Sequence, residues 1–286
     1  MFKNLKKVKI ILFLLVSGFL IYKLNSLKEV LSSDPIYTDD MILGNNDHSS
    51  EKNKTFRKKI GLAILNLGLM KEVTNHAIST NNKIGLGFSI YSDSLTNYIQ
   101  NSAHNEHEVI ISLPSQTIYC DNNDPGPLAI FSEDTEQENA QKISNIISKS
   151  NINTSLCLEP DSIFSAEESK VLFLLKQLEN NENNFESFIY YDIDSSNFLT
   201  KLSQKSFIKN KIIIATDIID RQLSEKSILA SLERMVDSNT ANIPFGIIIS
   251  PTKVTIDVLS TWLSNNHDLI ELISISEIIK SQTQPK

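Results

Sequence analysis

The 286-residue chain is short of the residues that several functional classes require. It has only two cysteines, which excludes a disulfide-dense scaffold and a four-thiolate zinc site. Eight glycines exclude collagen-like and Gly-rich low-complexity classes. No repeat of fixed period is visible. There is no Walker loop, no G-x-S-x-G elbow and no H-E-x-x-H. Gly85-Leu86-Gly87 lacks the third glycine and the helix start of a dinucleotide fingerprint. Asp121-Asn122-Asn123-Asp124 has the outline of a calcium loop, but Pro125 takes the fifth position and the downstream ligands are missing. Five histidines are available: His48, His76, His104, His107 and His267. None is expected at the carboxyl end of a strand, so they read as exposed or capping residues.

What is present is enough to fold. A 41% hydrophobic chain of this length can bury a sizeable core as one large domain or two small ones. Charge is uneven. Residues 1–28 carry six lysines and no acid, so removing them from the net −7 leaves −13 on the remainder. So acidic a body repels phosphate backbones, which argues against nucleic-acid partners.

The amino terminus sets the expected compartment. Ile10–Tyr22, IILFLLVSGFLIY, follows four lysines and precedes Lys23. A basic leader before an apolar run is an export signal. With its flanks the run reaches the lower limit for a membrane span, the lysines snorkelling. The following YKLNSLKEVLSS offers no convincing small-residue cleavage site. Residues 1–24 therefore read as an uncleaved signal anchor, with a cleaved signal peptide and release to the periplasm as the alternative. The lysine-rich end stays cytoplasmic. Residues 25–57 have little apolar periodicity and read as a flexible stalk. The folded domain is expected over 58–280.

That domain alternates short apolar runs with amphipathic stretches. Expected strands are Ile60–Leu67, Ile84–Ile90, Val109–Leu113, Phe188–Tyr191, Lys211–Ala215, Gly246–Ile249 and Leu269–Ile275. Expected helices are Lys71–Ser79, Leu95–Ala103, Glu133–Lys149, Ser165–Glu179, Ser224–Val236 and Val254–Ser264. Thr135 with Glu138 fits a capping box, as does Ser165 with Glu168. Strand then helix, repeated about seven times, implies parallel strands with crossover helices. Either an α/β barrel or a doubly wound sheet satisfies that pattern. In both, function sits at the carboxyl ends of the strands. Polar residues cluster there: Asn66, Ser115, Gln116, Glu159, Asp192, Asp194, Asp220 and Ser250. Cys120 and Cys157 are free to pair in an oxidising compartment or to remain thiols.

An ordered set of motifs then stands out. His107-Glu108-Val109, Leu113-Pro114 and Asp124-Pro125-Gly126-Pro127 together resemble the divergent polysaccharide deacetylase family of Gram-negative bacteria. That family carries G-H-E-V, L-P-M-E and D-N-D-P-G-P in this order. The resemblance extends over most of 58–280 and implies a distorted (β/α) barrel of the polysaccharide deacetylase type, with a role in envelope carbohydrate metabolism.

The departures from the family pattern fall on its chemistry. Deacetylases of the wider superfamily bind a divalent metal through one Asp and two His, and a second Asp acts as base. Here Leu65 and Asn66 stand at the Asp-Asp pair, the first histidine falls near Glu159 and the second at Ser250. Met-Glu after the third strand has become Ser115-Gln116. Without those ligands the water that the metal would activate is lost. The carboxylates left round the mouth are Glu159, Asp192 and Asp220. The expected cleft is Asn66, Ser115, Gln116, Asp124 and Ser250, with no metal or other cofactor.

Three readings follow. The first is a non-catalytic domain, anchored in the inner membrane and facing the periplasm, that binds envelope glycan or a periplasmic or membrane protein. The second is a residual or altered carbohydrate hydrolase or deacetylase using Glu159, Asp192 and Asp220. The third is a structural or assembly protein of the envelope.

Overall fold

A computed structural model describes residues 57–283 apart from residue 82 and segments 118–123, 151–153, 159–161, 181–184, 192–210 and 239–241. These residues belong to one compact unit, Lys54–Lys286. The expected anchor, and the expected stalk up to residue 56, lie outside the described residues. Among the described residues no helix is long and apolar enough to cross a membrane.

The chain runs β1 (Lys58–Leu67), α1 (Lys71–Ile78), β2 (Gly85–Ser89), α2 (Leu95–His104), β3 (Val109–Leu113), α3 (Glu136–Ser150) and β4 (Thr154–Leu158). It continues through α4 (Ile163–Ala166), α5 (Glu168–Glu179), β5 (Phe185–Tyr190), β6 (Ile212–Ile214), β7 (Asp217–Ile218) and α6 (Glu225–Asp237). It ends with β8 (Phe245–Ile248), α7 (Lys253–Asn265), β9 (Ile270–Leu272) and α8 (Ile275–Thr283). Every strand pairing is parallel. The strand order is β6-β5-β4-β3-β2-β1-β8-β7, and β9 joins β1 off this path.

The two ends of that order are neighbours in sequence. Only Ala215 and Thr216 separate β6 from β7. The Ala215 N–H donates to the Tyr190 carbonyl on β5, and the Thr216 N–H donates to the Phe245 carbonyl on β8, both at 2.8 Å. One short segment therefore hands its hydrogen bonds from one edge of the sheet to the other. The sheet curls round on itself, and the distorted (β/α) barrel of the deacetylase type is the architecture found.

Period-two alternation sorts the strand residues into two cores. The outward set on β1 is Ile60, Leu62, Ile64 and Leu67, which packs with Leu86, Phe88, Ile111, Leu156 and Phe188 under the helices. The inward set is Ala63, Leu65, Ile110, Cys157, Ile189, Ile213, Phe245 and Ile247. Ile273, Ile275 and Ile278 join this inner cluster, so the start of α8 plugs the amino end of the barrel. Gly87 makes this packing possible. A Cβ there would lie 2.6 Å from Leu65 Cδ2 and 3.1 Å from Leu65 Cα, so the bare glycine backbone leaves room for the leucine.

Local signals account for most elements. Glu138 N–H donates to Thr135 Oγ1 and Thr135 N–H to Glu138 Oε2, at 3.2 and 2.8 Å, closing the expected capping box before α3. The second expected box does not form. Ser165 donates its hydroxyl to the Ser162 carbonyl, and Ser162 caps α4 instead. The expected final strand Leu269–Ile275 stops at Leu272, and α8 starts at Ile275. The reason is a capping box at Ser274 and Glu277, whose backbone and side chains bond reciprocally at 2.8 and 3.3 Å.

Candidate functional site

The carboxyl ends of β1, β3, β7 and β8 form one rim of the barrel mouth. At the end of β1, Leu65 points inward and is buried among apolar side chains. Asn66 follows with φ of 58°, a left-handed conformation that Asn tolerates better than most residues. Its side-chain amide donates to the Ile249 carbonyl at 2.7 Å, just beyond β8.

Asp220 reaches the same place from the end of β7. Its carboxylate accepts the Ile249 N–H at 2.9 Å on one oxygen and the Ser250 N–H at 2.6 Å on the other. The residue is only 3% exposed. Burial pushes its carboxyl above the usual aspartate range, although both backbone N–H groups favour the charged form and pull the other way. The structure therefore brings Asn66, Asp220 and Ser250 together around one turn.

Ser115 and Gln116 do a different job at the end of β3. Ser115 is buried and donates its hydroxyl to Ser162 Oγ at 2.6 Å. Gln116 Oε1 accepts from the Ser132 N–H and hydroxyl at 2.9 and 2.6 Å. Its Nε2 donates to Glu133 Oε1 at 3.1 Å. Backbone bonds within Glu133 and this amide hold the Glu133 carboxyl below the usual range. Both residues thus lace the long loop after β3 to α4. Asp124 is exposed and accepts the Gly126 N–H at 2.8 Å. Gly126, with φ of 88°, sits against Tyr91. A Cβ there would come 2.7 Å from the Tyr91 ring, and the Tyr91 hydroxyl accepts the Leu128 N–H at 2.9 Å. The Asp-Pro-Gly-Pro motif is therefore a turn seated on an aromatic ring.

Glu159, Asp192 and Asp194 lie outside the described residues, as does Cys120. Cys157 is buried in the inner cluster, with Ser112 Oγ 3.7 Å from its sulfur.

Two residues of the His-Glu-Val motif have roles that the sequence did not disclose. His107 is buried, with Nδ1 3.0 Å from the Ile84 carbonyl and Nε2 3.0 Å from the Ile78 carbonyl at the end of α1. Glu108 accepts the Ile275 and Ser276 N–H groups at 2.5 and 3.0 Å, at the start of α8. A carboxylate there satisfies orphan helix donors and complements the positive helix end. The motif thus ties two helices to the barrel. The other histidines of the described residues lie on the surface. His76 meets Asp257 at 2.7 Å, and His267 bonds the Ser264 carbonyl at 2.8 Å.

Beside the mouth, the loop after β3 and helices α4 and α5 enclose a cleft of about 160 Å³ walled by Phe131, Phe164 and Phe173. Lys142 stands over the Phe131 ring and Lys170 over the Phe164 ring, 5.1 and 5.6 Å from their centroids. Sequence alone gave no sign of it, because its walls come from three separate segments.

The family's divalent metal does not fit the described part of this rim. Leu65 offers no donor atom, the Asn66 amide is committed to a backbone carbonyl, and Ser250 offers a neutral hydroxyl. Among the described residues no group of three His, Cys, Asp or Glu is placed to hold a metal ion.

Comparison with curated proteins finds no match. Among solved structures, an uncharacterized protein from Agrobacterium tumefaciens C58 has the same fold. It aligns with a TM-score of 0.66 at 19% identity, over 78% of this chain and 89% of that one. The model of the divergent polysaccharide deacetylase family matches residues 43–279. That span takes in the His-Glu-Val strand start, the Asp-Pro-Gly-Pro turn and all nine described strands, so the chain belongs to the divergent polysaccharide deacetylase family.

Proposed function

We propose that this protein is a membrane-tethered, periplasm-facing domain that binds envelope glycan and does not carry out metal-dependent deacetylation. Family membership supports the carbohydrate connection. One observation carries the rest of the reading. At the end of β1, where the family chemistry calls for an acid base and an acid ligand, a buried leucine faces the barrel and the neighbouring amide is spent on the Ile249 carbonyl. Asp220, the acid that shares this turn, has both oxygens occupied by backbone N–H groups. Phe131 and Phe173, both partly exposed in the cleft, offer apolar surface against which a sugar ring can pack. The leader and apolar run at the amino terminus support the tether and the compartment.

The test is acetate release from acetylated chitin oligomers and from peptidoglycan, with and without added zinc, together with co-sedimentation on peptidoglycan. The expected result is co-sedimentation without acetate. Zinc-dependent acetate release overturns the reading. Stoichiometric capture of a protein without glycan binding favours the assembly reading instead.

A second reading, an altered hydrolase using Glu159, Asp192 and Asp220, draws support from the burial that holds the Asp220 proton more firmly than usual, as a general acid requires. Hydrolysis of chitin oligomers that is lost in Asp220→Asn supports it.

A further inference from the structure

The chain holds 27 lysines and arginines, and only Arg57, Arg221 and Arg234 among them are arginines. Two of those three line one cleft. It lies between β7, the loop after it and α6, has a volume of about 210 Å³, and is floored by Ile218 and Ala230 with Gln222 and Ser227 on its wall. Arg221 comes from the loop and Arg234 from the helix, and the fold brings both to the same opening.

Their surroundings differ in a useful way. Arg234 donates to Ser231 Oγ at 2.9 Å and to Asp217 Oδ2 at 3.4 Å. These contacts steady its guanidinium, the aspartate one being long. Arg221 takes part in none of the ion pairs among the described residues. Ser227 hydroxyl donates to Gln222 Oε1 at 3.1 Å, which fixes the wall between them. Lysine supplies a positive charge as well as arginine does, and this chain uses it almost everywhere. Arginine differs in presenting a planar fork of donors that matches the two oxygens of a carboxylate or phosphate. An arginine that pairs with no carboxylate among the described residues, beside a second one already oriented, in a body that is otherwise strongly acidic, is suited to receive an anion supplied from outside.

We propose that Arg221 and Arg234 form an oxyanion-binding site for a carboxylate or phosphate group, with Ile218 and Ala230 contacting the apolar part of the ligand. The site uses none of the rim residues Asn66, Ser115, Gln116 or Ser250. It stands or falls separately from the glycan reading.

The scarcity of arginine makes the test direct. The full chain is labelled with phenylglyoxal, and modification of each of the three arginines is followed by peptide mass spectrometry. Labelling is run in inorganic phosphate, in glucuronate, and in sodium chloride at matched ionic strength. Arg57, which is exposed and donates to the His267 carbonyl, is the internal control. The expected result is slowing at Arg221 and Arg234 by roughly tenfold in at least one of the two anions, as occupancy near 90% gives, with Arg57 unchanged. Phosphate protection alone assigns a phosphate ligand, and glucuronate protection alone a carboxylate. Equal rates in all three solutions, or equal slowing at all three arginines, overturns the proposal. Arg221→Lys keeps the charge and removes the fork. It is expected to abolish the protection at Arg234, and retained protection there also counts against the site.

Discussion

The peptide between Ile249 and Ser250 is held at both ends. Asn66 donates to its carbonyl at 2.7 Å, and Asp220 accepts its N–H at 2.6 Å. Two strand ends, β1 and β7, thereby fix the turn that leaves β8 between them. Removing the Asn66 side chain should loosen this turn. Asn66→Ala loses one hydrogen bond and puts alanine in a left-handed conformation, for a combined cost of about 2 kcal/mol. Asn66→Gly loses the bond without the conformational penalty and should cost less. Urea midpoints of the two variants check the order.

Asp220 should leave a signature in the pH dependence of stability. Its folded carboxyl binds the proton more tightly than the unfolded one does, because burial disfavours the charge. Stability therefore falls as pH rises from the ordinary aspartate range of about 4 towards the raised folded value, and is level above it. Glu277 acts in the opposite sense. Lys83 and the Ser274 N–H hold its carboxyl low, so its contribution is present above the ordinary glutamate range and fades as pH falls towards the folded value. Chemical denaturation of wild type and Asp220→Asn from about pH 2 to about pH 7 separates the two. The alkaline-side decline should vanish in the variant and the acid-side one should persist.

Leu65 and Gly87 should behave as a coupled pair. Gly87→Ala forces a Cβ to within 2.6 Å of Leu65 Cδ2, an overpacking that costs about 1–3 kcal/mol. Leu65→Ala opens a cavity at a cost of about 2–5 kcal/mol. Because each change relieves the other, the double variant should be more stable than the two single costs summed, and a double-mutant cycle measures the difference.

Restoring the family's acids should not restore chemistry. In Leu65→Asp with Asn66→Asp, the first carboxylate enters an apolar interior and the second faces the Ile249 carbonyl that it can no longer hydrogen-bond when ionised. The expected outcome is loss of stability by several kcal/mol with no zinc-dependent acetate release. A stable, active double variant would show that the rest of the metal site is intact.

His107 should prove a structural residue. One carbonyl oxygen faces each of its ring nitrogens. His107→Leu removes the ring that bonds the Ile78 and Ile84 backbone, at a cost of about 1–3 kcal/mol. Hydrogen exchange should rise at the end of α1 and the start of β2 before it rises elsewhere.

The fold was legible where one rule governed a segment. Val109–Leu113 is an apolar run broken only by Ser112 and closed by Pro114, and it is a strand with those bounds. Thr135 and Glu138 announce α3 through local bonding alone. Legibility failed where two rules competed. Leu269–Ile275 is apolar at five of its seven positions and reads as a strand, yet Ser274 and Glu277 start a helix within it. The signal was available in the S-x-x-E spacing. Strand β7, two residues long, carries no periodicity at all. At the rim, the polar strand ends were visible but their tasks were not. Ser115 and Gln116 look like ligands in sequence and are loop fasteners in space, because their partners Ser162 and Ser132 come from distant or irregular segments.

The handover at Ala215 and Thr216 has a consequence for how the barrel opens. Strands β6 and β7 pair with β5 and β8 and not with each other, so the Ala215-Thr216 joint is where the curled sheet brings its two margins side by side. Such margins invite pairing with another strand. Lengthening the connection by even a single residue at this joint should therefore expose both margins at once, and a mutant of that kind is where self-association of this protein would first be seen.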